Sequence, residues 1–265
     1  MLGWLAETLD LRHTIGVAGA MELVLARRRQ WRGATGAIRL RIPRSTHTLE
    51  LRLGGSDLAT FEQVFVDGTY APLLAVPDVT TILDLGANVG CTSAQLLTAH
   101  ERARLVAVEP DPDNATLLAR NLAPWGGRAE VLRGAVWSHE TGLVLDERPY
   151  RDGGAWARQV RATREGERPA MQAWGVDQLM DRLAPGGIVD LVKMDVEGAE
   201  VVLLEAGRHE WLRRVRCLAI ELHDDSSFGP ATPRFAAALE GRRAHRQEIG
   251  DTTIVTFDDV TPRAA

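Results

Sequence analysis

One run constrains this chain more than any other: Thr81-Ile82-Leu83-Asp84-Leu85-Gly86-Ala87-Asn88-Val89-Gly90. Ile82 to Leu85 is a short apolar stretch of the kind that forms a strand buried on both faces. A glycine turn follows, and Ser93-Ala94-Gln95-Leu96-Leu97 reads as a helix. Strand, glycine turn and helix make the opening unit of a nucleotide-binding α/β fold. Glycine lets a ligand approach the backbone, and the helix start offers free N–H groups.

The spacing narrows the ligand. A dinucleotide fingerprint requires Gly-x-Gly-x-x-Gly, with the pyrophosphate on the helix N-terminus. Here Asn88 takes the second glycine position and Gly90 comes two residues later instead of three. The next strand, Arg104 to Val108, ends at Glu109, nineteen residues after Gly90. A carboxylate there accepts hydrogen bonds from both ribose hydroxyls of an adenosine. S-adenosylmethionine (SAM) has that ribose and no pyrophosphate, so Gly86, Asn88, Gly90, Glu109 and the adjoining Pro110 are read as cofactor contacts. The loop alone also fits a turn without a ligand; Glu109 at the strand end favours one.

At 265 residues the chain can bury a full core, and it fits one α/β domain (residues 56–265) behind an N-terminal helical and β-hairpin extension (residues 1–55). A net charge of −5 argues against broad electrostatic binding to nucleic acid. Cys91 and Cys217 sit in apolar settings and read as buried thiols without disulfide or metal spacing. Glu7, Asp10, Arg12 and Glu22 interrupt the first thirty residues, so neither a signal peptide nor a membrane span is expected, and the reading is a cytoplasmic protein. Among 31 basic residues the sole lysine is Lys193.

Residues 1–30 read as one or two helices, whose apolar positions Trp4, Leu5, Leu9, Val17, Met21 and Leu25 pack on the domain or on a second copy. Ile38 to Ile42 and Thr48 to Leu53 alternate with period two and predict a hairpin. Ser56 or Asp57 is placed to cap a helix running through Phe65. This lead-in places Phe61, Gln63 and Tyr70 either over a nucleotide pocket or, for Phe61 and Phe65 by preference, in the core. Beyond Glu109, Pro110-Asp111-Pro112 opens a helix to Asn121. A third strand, Glu130 to Leu132, is expected to continue past Gly134 into Ala135-Val136-Trp137. Adenine is expected beside Ala135 and Val136, with Trp137 stacking on it or simply packing. Residues 147–168 crowd Arg148, Arg151, Arg158, Arg161, Arg164 and Arg168 around Trp156 and read as a lid or a solvated insertion.

The densest chemical signal is Val189 to Glu200. A buried strand ending at Met194 delivers Asp195 to its C-terminal edge, where ligands bind in open α/β sheets. Lys193 lies within that apolar strand and is expected to pair with a carboxylate. Glu200, in the first turn of a helix from Val201 to Ala206, needs no more than the helix dipole to explain it. The strand Cys217 to Ile220 leads into Glu221 and His223, which alternate onto one face at the same edge.

Together, Asp84-Leu85-Gly86-Ala87-Asn88-Val89-Gly90, Lys193-Met194-Asp195-Val196-Glu197-Gly198-Ala199-Glu200 and Ile220-Glu221-Leu222-His223 resemble the signatures of FkbM-type SAM-dependent methyltransferases. The lead-in Ser56 to Phe65, with Tyr70, is similar to that family's N-terminal segment. The resemblance spans Ser56 to Asp224. It implies a Rossmann-like, class I methyltransferase sheet of seven strands, the last antiparallel, with Arg246 to Ile249 and Thr253 to Phe257 as a terminal hairpin. It also implies methyl transfer to a hydroxyl of a small molecule, a sugar or polyketide-type secondary metabolite.

An attacking alcohol must lose its proton. His223, oriented by Glu221 or Asp224, is the first candidate base and Asp195 the second. Asp195 alternatively holds the acceptor or the methionine amino group, and His223 is equally readable as a hydrogen-bonded strand-end histidine. A divalent metal on Asp195, Glu221 and His223 is chemically sensible, but no ligand spacing calls for one and none is assigned. The expected partner is a small hydroxylated acceptor, without nucleic acid or membrane. The alternatives are an NAD-dependent oxidoreductase, or a SAM-binding or nucleic-acid-interacting module without turnover.

Overall fold

The computed structural model describes residues 2–139, 141–146, 159–164, 166–205, 207 and 209–262, with side chains from residue 15 onward. Its strands are β1 (Gly36–Arg41), β2 (Thr48–Leu53), β3 (Thr81–Leu85), β4 (Arg104–Glu109), β5 (Ala129–Arg133), β6 (Ala135–Val136) and β7 (Gly142–Leu145). The chain continues through β8 (Val160–Ala162), β9 (Met171–Trp174), β10 (Val189–Met194), β11 (Val215–Glu221), β12 (Ala244–Ile249) and β13 (Thr252–Phe257). The helices are α1 (Leu2–Trp31), α2 (Asp57–Phe65), α3 (Ala71–Leu74), α4 (Cys91–Ala99), α5 (Pro112–Leu122), α6 (Val176–Leu183), α7 (Glu200–Leu203) and α8 (Thr232–Ala238).

Seven strands form the main sheet in the order β12-β13-β11-β10-β3-β4-β5. The pairs β10–β11, β10–β3, β3–β4 and β4–β5 are parallel, while β13 runs antiparallel to β11 and β12. The parallel strands are buried on both faces because helices cover both, which is why Ile82, Leu83 and Leu85 stand as an unbroken apolar run. Each such side chain contributes roughly 1.5–3 kcal/mol by leaving water. The strand order reverses between β3 and β10, which opens a crevice at their C-terminal ends.

The N-terminal elements join the same core. α1 bends at Gly16, whose φ of 75° and ψ of 167° break the helical run. Arg27 donates to both Glu62 carboxylate oxygens at 2.7 Å, fixing α1 to α2. Asn121 of α5 accepts from the Glu50 N–H at 2.9 Å and donates to the carbonyls of Glu50 and Val89. The hairpin is thereby tied to the glycine loop.

Three local expectations are corrected. The strand at β5 does not continue past Gly134: Ala135 and Val136 form β6, which belongs to a separate four-stranded sheet, β6-β9-β7-β8. Gly134, at φ 153°, makes the break, and its N–H donates to the Glu109 carbonyl at 3.1 Å. Ser56 takes the N-cap position of α2 but makes no side-chain cap bond, and Asp57 instead accepts from the Arg52 N–H and guanidinium, at 2.8–2.9 Å. α7 is a single turn, Glu200–Leu203, closed at Leu204, whose N–H donates to the Glu200 carbonyl. Most of the arginine-rich stretch, including Arg148, Arg151, Trp156 and Arg158, lies outside the described residues; Arg161 pairs with Glu167 at 2.7 Å.

Candidate active site

The C-terminal edges of β3, β4, β10 and β11 border one cavity of about 1060 Å³. That exceeds what a single drug-sized ligand needs, so it has room for two molecules side by side. The small sheet supplies one wall through Ala135, Val136 and Val160, and the start of α2 supplies another.

At the β3–β4 end, the turn after Leu85 is held by its own backbone. Gly86 and Ala87 donate to the Val108 carbonyl at 3.0 Å, and Gly86, Asn88 and Gly90 all have positive φ (78°, 50° and 92°). Asn88 tolerates that region better than most side chains. Its N–H donates to Glu109 at 2.8 Å, while the Asp111 N–H donates to the other oxygen at 3.0 Å. Glu109 is 5% exposed. Burial raises its carboxyl to about 7, against the pull of the Asp111 and Asn88 N–H groups. An ionised carboxylate offers about four lone-pair sites; beyond these two N–H groups the Asn114 amide approaches Glu109 at 3.4 Å, and the residue lines the cavity. Gly90 does not line the cavity: a Cβ there would lie 2.8 Å from Leu118 Cδ1, so this glycine serves the packing of α4 against α5.

At the β10–β11 end the site is acidic. Lys193, 4% exposed, donates to the Gly86 carbonyl at 2.5 Å and lies 3.6 Å from Asp84 and 3.5 Å from Asp195. Burial lowers its pKa, but the Asp195 and Asp84 charges outweigh that and hold it above the usual lysine range. His223 is fully buried, and Glu200, also fully buried, lies 3.0 Å from its Nδ1. Glu200 in turn accepts from the N–H groups of Val196 and Gly198 at 2.9 and 2.8 Å. His223 Nε2 lies 3.5 Å from Glu197, 3.5 Å from Glu221 and 3.7 Å from Asp195. Burial opposes charge on this ring, but the Glu200 hydrogen bond and the close Glu221 carboxylate outweigh it and raise it to about 11.

Of the residues singled out in the sequence, Tyr70, Gly86, Asn88, Glu109, Pro110, Ala135, Val136, Asp195 and Glu221 meet at the cavity. His223 does not line it; Glu200 holds its Nδ1 at 3.0 Å, Glu221 lies 3.5 Å from its Nε2, and Asp224 is not its partner. Asp224 instead accepts from the Thr232 N–H at 2.7 Å. Gln63 reaches the cavity, whereas Phe61 packs on Phe65 with ring centroids 4.7 Å apart. Trp137 meets Phe228 edge-on at 5.6 Å, which resolves its role as packing. Glu200 was missed as a site residue, and Glu197, part of the motif from Lys193 to Glu200, was given no role. For Glu197 the available signal was its place two residues after Asp195; the structure adds that Glu197 (φ 52°) and Gly198 (φ 100°) are both left-handed in that turn.

Residues 84–249 match the methyltransferase FkbM domain, more than half of the chain. The chain belongs to the FkbM methyltransferase family. This FkbM chain is 28% identical over 212 residues to methyltransferase sdnD of Sordaria araneosa, covering 69% of the chain and 80% of that protein. It is 24% identical over 225 residues to the AMB antimetabolite synthetase AmbE of Pseudomonas aeruginosa, covering 71% of the chain but only 10% of AmbE. Among solved structures, the cofactor-bound Rv0187 protein from MTB superimposes with a TM-score of 0.45 at 14% identity, over 91% of this chain and 90% of that one. The sheet, with β13 reversed, is the class I methyltransferase arrangement. No helix among the described residues is long and apolar enough to cross a membrane.

Proposed function

We propose that this protein is a SAM-dependent O-methyltransferase acting on a hydroxyl of a small molecule, of sugar or polyketide type. The observation that carries the reading is that one cavity joins the glycine loop and Glu109 at one end to an acidic group, Asp195, Glu197 and Glu221, at the other. The residues fit SAM: Glu109 offers a carboxylate to the ribose hydroxyls, and Ala135 and Val136 offer apolar surface for adenine. When bound, SAM supplies an electrophilic sulfonium methyl. The chain then has to place the acceptor oxygen in line and remove its proton. His223 does not line the cavity and its Nε2 faces the carboxylates of Asp195, Glu197 and Glu221, so it is not assigned as that base. Asp195, held 3.5 Å from the Lys193 ammonium, is placed to orient the acceptor or the methionine amino group. Glu221, at the cavity wall, is placed to take the proton.

Incubation with methyl-labelled SAM and matched panels of hydroxylated and amine-bearing metabolites tests the reading. Label is expected in ethers; transfer only to nitrogen would sink the oxygen assignment.

Cofactor binding should also report Glu109. Ribose hydroxyls donate to the ionised form, so binding at low pH must first remove the Glu109 proton. The Kd for S-adenosylhomocysteine is expected to be flat above the Glu109 value of about 7 and to weaken about tenfold per pH unit below it. A Kd constant from pH 5.5 to 8, given as about one decade of tolerance, contradicts ribose recognition by Glu109.

A further inference from the structure

We propose that Asp195, Glu197 and His223 form a binding site for a divalent first-row cation at the acceptor end of the cavity. One ligand atom from each, the two carboxylate oxygens and an imidazole nitrogen, lies within 4.8 Å of the others. Cations bound at about 2.0–2.2 Å set neighbouring donors about 3 Å apart and opposite ones about 4.4 Å apart. The observed Nε2 separations of 3.5 Å to Glu197 and 3.7 Å to Asp195 lie within that span.

The cluster alone would be only a group of acids; His223 distinguishes it. Its ring is fully buried, and its Nε2 is directed at the carboxylates yet has no hydrogen-bond partner among the described residues. Asp195 Oδ1 is buried and equally without one. The other ring nitrogen, Nδ1, is held by Glu200 at 3.0 Å, and Glu200 is itself fixed by the Val196 and Gly198 N–H groups. A carboxylate behind a histidine, locking its ring and leaving the far nitrogen as donor, is the supporting arrangement of metal-binding imidazoles.

Charge points the same way. The groups facing this nitrogen are Asp195, Glu197, Glu200 and Glu221, with Lys193 as the neighbouring cation on the other oxygen of Asp195. Negative charge is in excess even when His223 carries a proton, and a divalent cation takes that proton's place. Two carboxylates with one imidazole favour manganese, iron or zinc over calcium or magnesium. Three protein ligands leave positions for water or an acceptor oxygen.

The chemical use of such an ion rests on the methyltransferase reading, whereas its binding does not. An acceptor hydroxyl on the cation is more acidic. Its proton passes to Glu221 as the oxygen–carbon bond forms and the sulfur–methyl bond breaks, releasing S-adenosylhomocysteine as a neutral thioether.

The test titrates manganese(II) chloride into the chelator-stripped full chain, following free manganese by electron paramagnetic resonance, with S-adenosylhomocysteine calorimetry on the same samples. One manganese per chain with micromolar affinity is expected, weakened at least tenfold in Glu197→Gln, Asp195→Asn and His223→Gln, and displaced by zinc. Glu197→Gln keeps the test valid should the buried histidine variant misfold. No saturation up to millimolar manganese, or binding indifferent to all three substitutions, overturns the site. If manganese fails while S-adenosylhomocysteine still binds, the cation site alone is wrong; if S-adenosylhomocysteine also fails, the methyltransferase reading fails with it.

Discussion

Replacing Lys193 with methionine is expected to destabilise the protein by about 3–5 kcal/mol, the cost of leaving buried charge unpaired. Lys193 is the sole lysine of the chain and, among the described residues, the cation paired with the fully buried Asp84 at the switch between β3 and β10, whose other oxygen accepts from the Ser93 hydroxyl at 2.6 Å. Its ammonium reaches Asp84, Asp195 and the Gly86 carbonyl from one point, a geometry that suits a compact charge with three donors better than a planar guanidinium. Thermal unfolding should show a melting temperature lower by roughly 10 °C. Adding Asp84→Asn should recover part of the loss, because the two substitutions share one interaction. A single-variant loss within about 1 kcal/mol of zero would mean the lysine is not what holds these carboxylates in the core.

Gly86→Ala is expected to cost at least about 3 kcal/mol and to abolish cofactor binding. The backbone there has φ 78°, and an added Cβ would fall 1.8 Å from the Asp195 carbonyl oxygen. Backbone cannot rotate away as a side chain can. Relief requires β3 and β10 to separate, although the Asp195 N–H is bonded to the Leu85 carbonyl at 3.0 Å. The glycine thus sets the spacing of the two loops between which the cofactor is proposed to lie. Gly33, by contrast, has φ 75° but, its chain neighbours aside, no described atom within 4 Å of where a Cβ would stand, so alanine there carries only the conformational strain. Chemical denaturation of the two variants side by side checks the contrast; equal small losses would remove the steric argument.

What the sequence made legible follows from how local each determinant is. The apolar runs of β3, β4, β10 and β11 are local signals of strands buried on both faces, and the residue after each run marks the ligand edge. Glu109 and Asp195 could therefore be placed without coordinates. The period-two alternation of Thr48 to Leu53 was equally local, and its burial alternates as expected. Glu200 was not legible. A glutamate in a first helical turn has an ordinary explanation in the helix dipole, and only tertiary structure brings it to a histidine twenty-three residues further on. His223, two residues past the end of β11, does share an edge with Glu221 and Asp195, but its full burial beside the cavity wall is a tertiary fact that alternation does not show. The second sheet escaped notice because its strands are two to four residues long and pair across an insertion.

The central claim is that Glu109 and the glycine loop bind the adenosine end of SAM, and calorimetric titration tests it most directly. S-adenosylhomocysteine and NAD would be titrated separately into the wild-type protein and Glu109→Ala. The account predicts micromolar binding of S-adenosylhomocysteine, weakened at least about a hundredfold in the variant by loss of two charge-assisted hydrogen bonds, and no binding of NAD. Binding of NAD alone, or S-adenosylhomocysteine binding unchanged in Glu109→Ala, would contradict it.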